Sequence, residues 1–146
     1  MQNVMITDTK TTGVIVPSRA DRMRIIRRIV KEHDVSGSRA EAMLSGVIAF
    51  LQMCSAHSHI QFVPSPAVDD AWHTFLIYTR VYRKFCASVG RAYIDHEPND
   101  GATVSVGGYG RTIRFMDANQ ITYDRTLWDA SAGADCVPDP CTCEAN

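Results

Sequence analysis

One stretch in the middle of the chain constrains the fold most. Ser65 is a good helix N-cap, and Pro66 suits the first helical position because its missing N–H would have no partner there. Asp69 lies near the positive end of the same helix. Apolar residues then recur at the helical period: Val68, Trp72, Phe75, Leu76, Thr79, Tyr82, Phe85, Cys86 and Val89. The pattern predicts one continuous helix from Pro66 to Val89, with Gly90 as its stop.

Shorter helical patterns flank this stretch. Residues 22–31 place their apolar side chains on one side and a basic stripe on the other, and a helix should begin near Ser18. Ser38 and Glu41 have the spacing of a capping box and predict the start of a second helix, which runs to about Ser55. A last short helix is expected within residues 111–123, followed by Leu127 and Trp128 as a hydrophobic anchor.

These patterns predict a mainly α protein. A chain of 146 residues is long enough for one hydrophobic core and too short for two ordinary ones. We expect a small single-domain bundle of about four helices spanning residues 18–129. Residues 1–17 are expected to form a loose lead-in, and residues 130–146 a flexible, acidic, cysteine-bearing tail.

The charge distribution points to no particular class of partner. The net charge is -1, but residues 1–91 carry twelve Lys/Arg against seven Asp/Glu, and residues 92–146 carry three against nine. This asymmetry fits either docking of the two ends on each other, which we favour, or one basic face and one acidic tail. Because the basic stripe lacks interleaved aromatic residues, nucleic-acid binding is not expected.

The sequence predicts a cytoplasmic protein. The first residues lack a basic region followed by an apolar run, so no secretory signal is recognised. The longest apolar stretch, residues 42–54, is shorter than the roughly 20 residues that a membrane span needs. In a reducing compartment the five cysteines are expected to be thiols or metal ligands rather than disulfides.

Asp69 and His73 lie four residues apart and therefore share a helix face. The carboxylate could hold the imidazole in one tautomer, join it at a metal ion, or form an ordinary surface hydrogen bond. Cys86 cannot share an ion with His73 on a continuous helix, because thirteen residues advance the chain by about 20 Å and leave the side chains about 140 degrees apart.

Cys86 is more easily paired with His96. Gly90 can turn the chain back after the helix and bring His96 beside its end. We predict that the two side chains lie close together. If they form a site, an imidazolium or a metal ion should lower the pKa of the thiol. The alternative is a buried Cys86 that serves only packing.

The C-terminal segment supplies three further thiols. Cys136, Cys141 and Cys143 form a C-x4-C-x-C pattern, which offers soft ligands but lacks the second cluster of a standard zinc ribbon. Metal binding and the absence of any role both remain open for these cysteines.

Residues 64–98 resemble the glycine-rich domain-containing protein-like family. The resemblance is carried by Pro64 to Leu76, then by Thr79, Tyr82, Phe85, Cys86 and Gly90, and by Ile94 to Pro98. It implies a small helical unit in which six positions match the family pattern: Asp69, Trp72, His73, Tyr82, Cys86 and His96. The tail here has no glycine run, so no role that depends on such a run is carried over.

The six matching positions predict a polar pocket between the long helix and the segment that returns after Gly90. The favoured hypothesis is a small metal-binding or metal-dependent accessory protein, with zinc as the ion because His and Cys ligands suit it. The candidate ligands are Cys86, His96 and the three tail cysteines. Two alternatives stay open: a protein-interaction module that docks through Trp72, Tyr78 and Tyr82, and an enzyme with Cys86 as nucleophile and His96 as base.

Overall fold

The protein is mainly helical, as its sequence predicts. The computed structural model describes residues 16–97 and 108–128, and these form six helices and no strand, rather than the bundle of about four that we expected. The helices are α1 (Arg19–His33), α2 (Gly37–Ala56), α3 (Pro66–Ile77), α4 (Thr79–Ser88), α5 (Gly108–Ala118) and α6 (Arg125–Trp128).

Side-chain caps define where the long helices begin. The hydroxyl of Ser18 accepts a hydrogen bond from the Asp21 N–H, and that of Ser65 accepts one from the Val68 N–H, so α1 and α3 begin where the sequence predicts. The start predicted for α2 is wrong by two residues. Its N-cap is Ser36, which precedes Ser38 and accepts from the N–H of Arg39 at 3.1 Å.

The continuous helix predicted from Pro66 to Val89 is broken at Tyr78. This residue has φ -84° and ψ 60°, whereas a helical ψ lies near about -42°. Its N–H donates to the Phe75 carbonyl, which closes α3 with a tight turn. Across a straight helix the ten residues between Trp72 and Tyr82 would span about 15 Å, yet the two side chains are hydrogen-bonded at 3.0 Å. The break therefore changes the direction of the chain between α3 and α4, and periodicity alone does not reveal it because both halves keep an apolar face.

Gly90 ends α4, as predicted. It adopts φ 79°, in the left-handed region that glycine occupies without a steric penalty. The Gly90 N–H donates to the Ala87 carbonyl, and the Arg91 N–H reaches back to the Cys86 carbonyl at 2.9 Å. This pair of bonds is a Schellman motif, and it directs the following segment back along the helix it has just left.

The core is centred on α2, which packs most extensively against α3 and α1. Leu44, Val47 and Leu51 recur at the helical period on α2 and are completely buried. Ile25 and Ile29 of α1 meet them from one side. The large aromatic side chains of the core come mainly from α3 and α4: Trp72, Phe75, Tyr82 and Phe85.

Two contacts attach the C-terminal helices to this core. A Cβ at Gly108 would lie 3.3 Å from Val63 Cγ2, so the glycine permits a close backbone approach there. On the next turn, the Thr112 hydroxyl accepts from the Val63 N–H at 3.0 Å and donates to the Val63 carbonyl at 2.8 Å. Leu127 and Trp128 of α6 are buried, as expected of a hydrophobic anchor.

Parts of the sequence-based division fall outside this description. Residues 1–15 of the lead-in and the whole tail 130–146, with Cys136, Cys141 and Cys143, lie outside the described residues. The boundaries 1–17, 18–129 and 130–146 therefore stay predictions. Over the described ranges, none of the helices has the length and apolar character needed to cross a bilayer. The cytoplasmic location also stays a prediction.

Candidate metal centre

Three side chains converge where α3 meets the segment that follows Gly90. Asp69, His73 and His96 each offer one ligand atom, and these atoms all lie within 4.8 Å of one another. Among the described residues this is the group of His, Cys, Asp and Glu side chains whose geometry could hold one metal ion. Two imidazole nitrogens and one carboxylate oxygen form its donor set.

Local structure supplies two of the three ligands. Asp69 and His73 lie four residues apart on α3, so their side chains share one face, and the Asp69 carboxylate is 3.7 Å from Nε2 of His73. His96 comes from the non-helical segment that Gly90 redirects toward α3. Its Nε2 is 2.9 Å from Oδ1 of Asp69, across 27 residues of sequence.

The donor distances suit a small divalent cation. Zinc binds nitrogen and carboxylate oxygen at about 2.1 Å, so two ligands of a tetrahedral ion lie about 3.4 Å apart. The two Asp69–histidine distances, 2.9 and 3.7 Å, lie on either side of this value. All three ligand atoms lie within 4.8 Å of one another, so binding of an ion would require the separations to change by at most about 1.4 Å.

The site is buried on one side and open on the other. The side chains of Asp69 and His96 are 10% and 5% exposed, whereas that of His73 is 46% exposed. A carboxylate at this depth needs a partner, because an unpaired buried charge is costly. Asp69 has two candidate partners in the histidines, and solvent can approach the group past His73.

Aromatic side chains enclose His96. Its ring lies edge-on to that of Trp72, with centroids 4.6 Å apart, and 4.4 Å from the ring of His73. The indole N–H of Trp72 donates to the hydroxyl of Tyr82 at 3.0 Å, and this hydroxyl donates to the Ile94 carbonyl at 2.7 Å. The structure thus brings Trp72 and Tyr82 to the site as buried neighbours rather than as metal ligands.

Cys86 lies apart from the group of possible ligands. It is completely buried, and its thiol interacts with the Ile94 backbone and the Tyr82 hydroxyl. Over the described ranges no hydrogen bond joins Cys86 to His96, which pairs with Asp69 instead. Burial raises the pKa of the Cys86 thiol. The lowered pKa predicted from the sequence is therefore wrong, because the turn at Gly90 brings Ile94, and not the imidazole, against the sulfur.

Cys86 should consequently react slowly with iodoacetamide at pH 7. Burial raises the pKa of Cys54 to about 12 and also raises that of Cys86, so both thiols are protonated and shielded in the folded protein. We expect both to be alkylated at least about tenfold more slowly than in the urea-unfolded chain. Peptide mapping by mass spectrometry measures each site separately. Rapid alkylation of Cys86 in the folded protein, lost in a His96→Ala variant, would instead restore the thiolate–imidazolium pair.

A mainly apolar cavity lies elsewhere. A volume of about 260 Å³ lies between α2 and the two C-terminal helices, and its lining includes Phe50, Met53, Leu127 and Trp128. It contains none of the three possible ligands, and its walls are mainly apolar. Shape alone favours this cavity, but chemistry favours the centre at Asp69, where titratable groups converge.

Sequence reasoning placed all three residues in one polar pocket but did not make them the ligands of one ion. It paired Asp69 with His73 through their spacing, and it paired His96 with Cys86 through the turn at Gly90. The position of Asp69 in the first turn of α3 was a further clue to its pairing with His96. A segment that turns back after Gly90 can run along the helices toward the beginning of α3. The tail cysteines proposed as ligands lie outside the described residues.

Comparison with protein families places this centre within a matched region. A family model described as UCP032817-like matches residues 18–106, more than half of the chain, and this range includes Asp69, His73 and His96. The resemblance to the glycine-rich domain-containing protein-like family is therefore wrong, since the residues that suggested it lie within the UCP032817-like match. No curated protein and no solved structure matches the chain. The chain belongs to the UCP032817-like family.

Proposed function

We propose that the protein binds a divalent metal ion, foremost zinc, through Asp69, His73 and His96. The observation that carries this proposal is the convergence of three ligand atoms within 4.8 Å from two separate parts of the chain. Two histidines and one carboxylate are a donor set of catalytic zinc sites, which keep a fourth position for water or substrate. The exposure of His73 leaves room for such a position.

A bound ion would supply a Lewis acid and lower the pKa of a water molecule. The residues of the chain would have simpler tasks. Asp69 would provide the negative charge between the two histidines, and His96 would provide a buried ligand. His73 would form the solvent-facing side of the site. The protein would act as a small metal-binding or metal-dependent accessory protein.

The donor set also suits iron. A site with two histidines and one carboxylate and with open positions is typical of non-haem Fe(II) proteins. Zinc is placed first because a given site of nitrogen and oxygen ligands generally binds Zn²⁺ more tightly than Fe²⁺. The identity of the metal is therefore a result of the experiment below.

The two competing functions receive less support. A docking surface built on Trp72, Tyr78 and Tyr82 requires exposed aromatic rings, but Trp72 and Tyr82 are buried and Tyr78 is only partly exposed. A Cys86 nucleophile with His96 as base requires a hydrogen bond between them, and among the described residues His96 bonds to Asp69 instead. A buried thiol with a raised pKa is also a poor nucleophile.

Elemental analysis of full-length protein purified without an affinity tag tests the proposal. Because the tail cysteines are also candidate ligands, the analysis should include a variant with Cys136, Cys141 and Cys143 all changed to serine. We expect about one zinc ion per chain in that variant, and none after the further change His96→Ala. Metal that disappears with the tail cysteines and is unaffected by His96→Ala would contradict the proposal.

A further inference from the structure

The segment that carries His96 is held by side chains of α4. Tyr82 is completely buried, and its hydroxyl donates to the Ile94 carbonyl, two residues before His96. The Cys86 thiol lies against the same Ile94 backbone. Residues 91–97 form no regular secondary structure, so they lack the repeated hydrogen bonds that would hold a ligand on a helix.

The same Tyr82 hydroxyl also fixes the ring beside His96. It accepts the indole N–H of Trp72, and the Trp72 ring lies edge-on to the His96 imidazole. One oxygen therefore restrains both the backbone that leads to His96 and the aromatic wall against which its ring rests. Both bonds are buried, where leaving a partner unsatisfied is costly.

We propose that Tyr82 is the positioning residue of the metal centre, and that it holds His96 at ligand distance from Asp69 without touching the ion. This inference rests on the metal-binding function proposed above and adds how the site is pre-organised. Residues that orient metal ligands typically contribute 10- to 100-fold to metal affinity. Because Tyr82 acts on His96 through Trp72 and the backbone, we expect an effect of about tenfold.

Tyr82→Phe isolates this role. The variant keeps the ring that packs against Phe75, with centroids 5.1 Å apart, and removes only the hydroxyl. Full-length protein with the three tail cysteines changed to serine should bind zinc about tenfold more weakly after Tyr82→Phe, measured by competition with a chromophoric chelator. The visible spectrum of the cobalt-substituted protein should also change, because a displaced His96 alters the ligand field.

Phe85→Leu is the matched control. Phe85 lies on the same helix, is buried and packs against Phe75, so its replacement also destabilises α4. Among the described residues no hydrogen bond or ring pair joins Phe85 to Ile94 or Trp72, so zinc affinity and the cobalt spectrum should stay unchanged. If Tyr82 has only a structural role, the Tyr82→Phe variant should behave like the Phe85→Leu variant: its thermal stability should fall and its cobalt spectrum should stay unchanged.

The outcomes separate this inference from the function on which it rests. If the parent protein binds no metal at Asp69, His73 and His96, the proposed function is wrong and the positioning role falls with it. If the parent binds zinc and Tyr82→Phe binds it equally, with the same cobalt spectrum, the positioning role alone is overturned. Should Tyr82→Phe not fold, Trp72→Phe removes the indole donor and carries the same test: weaker zinc binding supports the inference, and unchanged binding overturns it.

Discussion

Replacing Asp69 with alanine is expected to lower zinc affinity at least about 100-fold. Asp69 supplies the only negative charge of the three-ligand group and lies between the two histidines, at 2.9 Å from His96 and 3.7 Å from His73. Its loss removes one ligand and the charge that draws the ion into a buried site, which should exceed the 10- to 100-fold typical of groups that merely orient ligands. Competition with a chelator of known affinity measures the change.

Asp70→Ala is the natural control for this experiment. Asp70 is the neighbouring carboxylate on α3, but its oxygen faces His33 at 3.8 Å and it does not belong to the group of possible ligands. We expect its zinc affinity to stay within about threefold of the parent protein, since its side chain is half exposed and any effect of its charge is screened. Equal losses in the two variants would indicate a diffuse electrostatic effect in place of a coordination site.

Replacing Thr112 with valine is expected to destabilise the folded protein by about 2–4 kcal/mol. The Thr112 hydroxyl is buried and satisfies both the N–H and the carbonyl of Val63, so valine would leave two buried backbone groups without this partner at about 1–3 kcal/mol each. Valine has nearly the same shape, so the loss would come from hydrogen bonding rather than from a cavity. Urea unfolding followed by circular dichroism measures the free energy of unfolding.

Thr112→Ser separates the hydroxyl from the methyl group. Serine keeps both hydrogen bonds to Val63 and loses one buried methyl group, which costs about 1 kcal/mol. The order of stability should therefore be threonine, serine, valine. A valine variant as stable as the serine variant would show that α5 is held to the core by packing and not by this pair of hydrogen bonds.

The helix termini were the most predictable part of the fold. Ser18, Ser65 and Gly90 act through hydrogen bonds or backbone conformations that involve residues only a few positions away, so their effect can be read from the sequence. The error at α2 has the same local character, because Ser36 and Ser38 are both suitable caps and the sequence does not rank them.

The break at Tyr78 could not be predicted in this way. Residues on both sides of it keep the helical period, and Tyr78 itself carries no helix-breaking side chain. We attribute it to side-chain packing: the Tyr82 hydroxyl bonds to the Trp72 indole where the chain changes direction between α3 and α4. Such contacts decide between one long helix and two shorter helices at an angle, and local propensity does not distinguish these alternatives.

The candidate site likewise combines one feature set by local sequence with others set by long-range packing. The sequence by itself determined the pairing of Asp69 with His73, because four residues on a helix place two side chains on one face whatever the surrounding fold. Only the tertiary structure decided that His96 joins Asp69 across 27 residues, and that Cys86 packs beneath Ile94. The direction of an irregular segment depends on the surfaces it crosses, here Tyr82 and Trp72, and no spacing in the sequence encodes those surfaces.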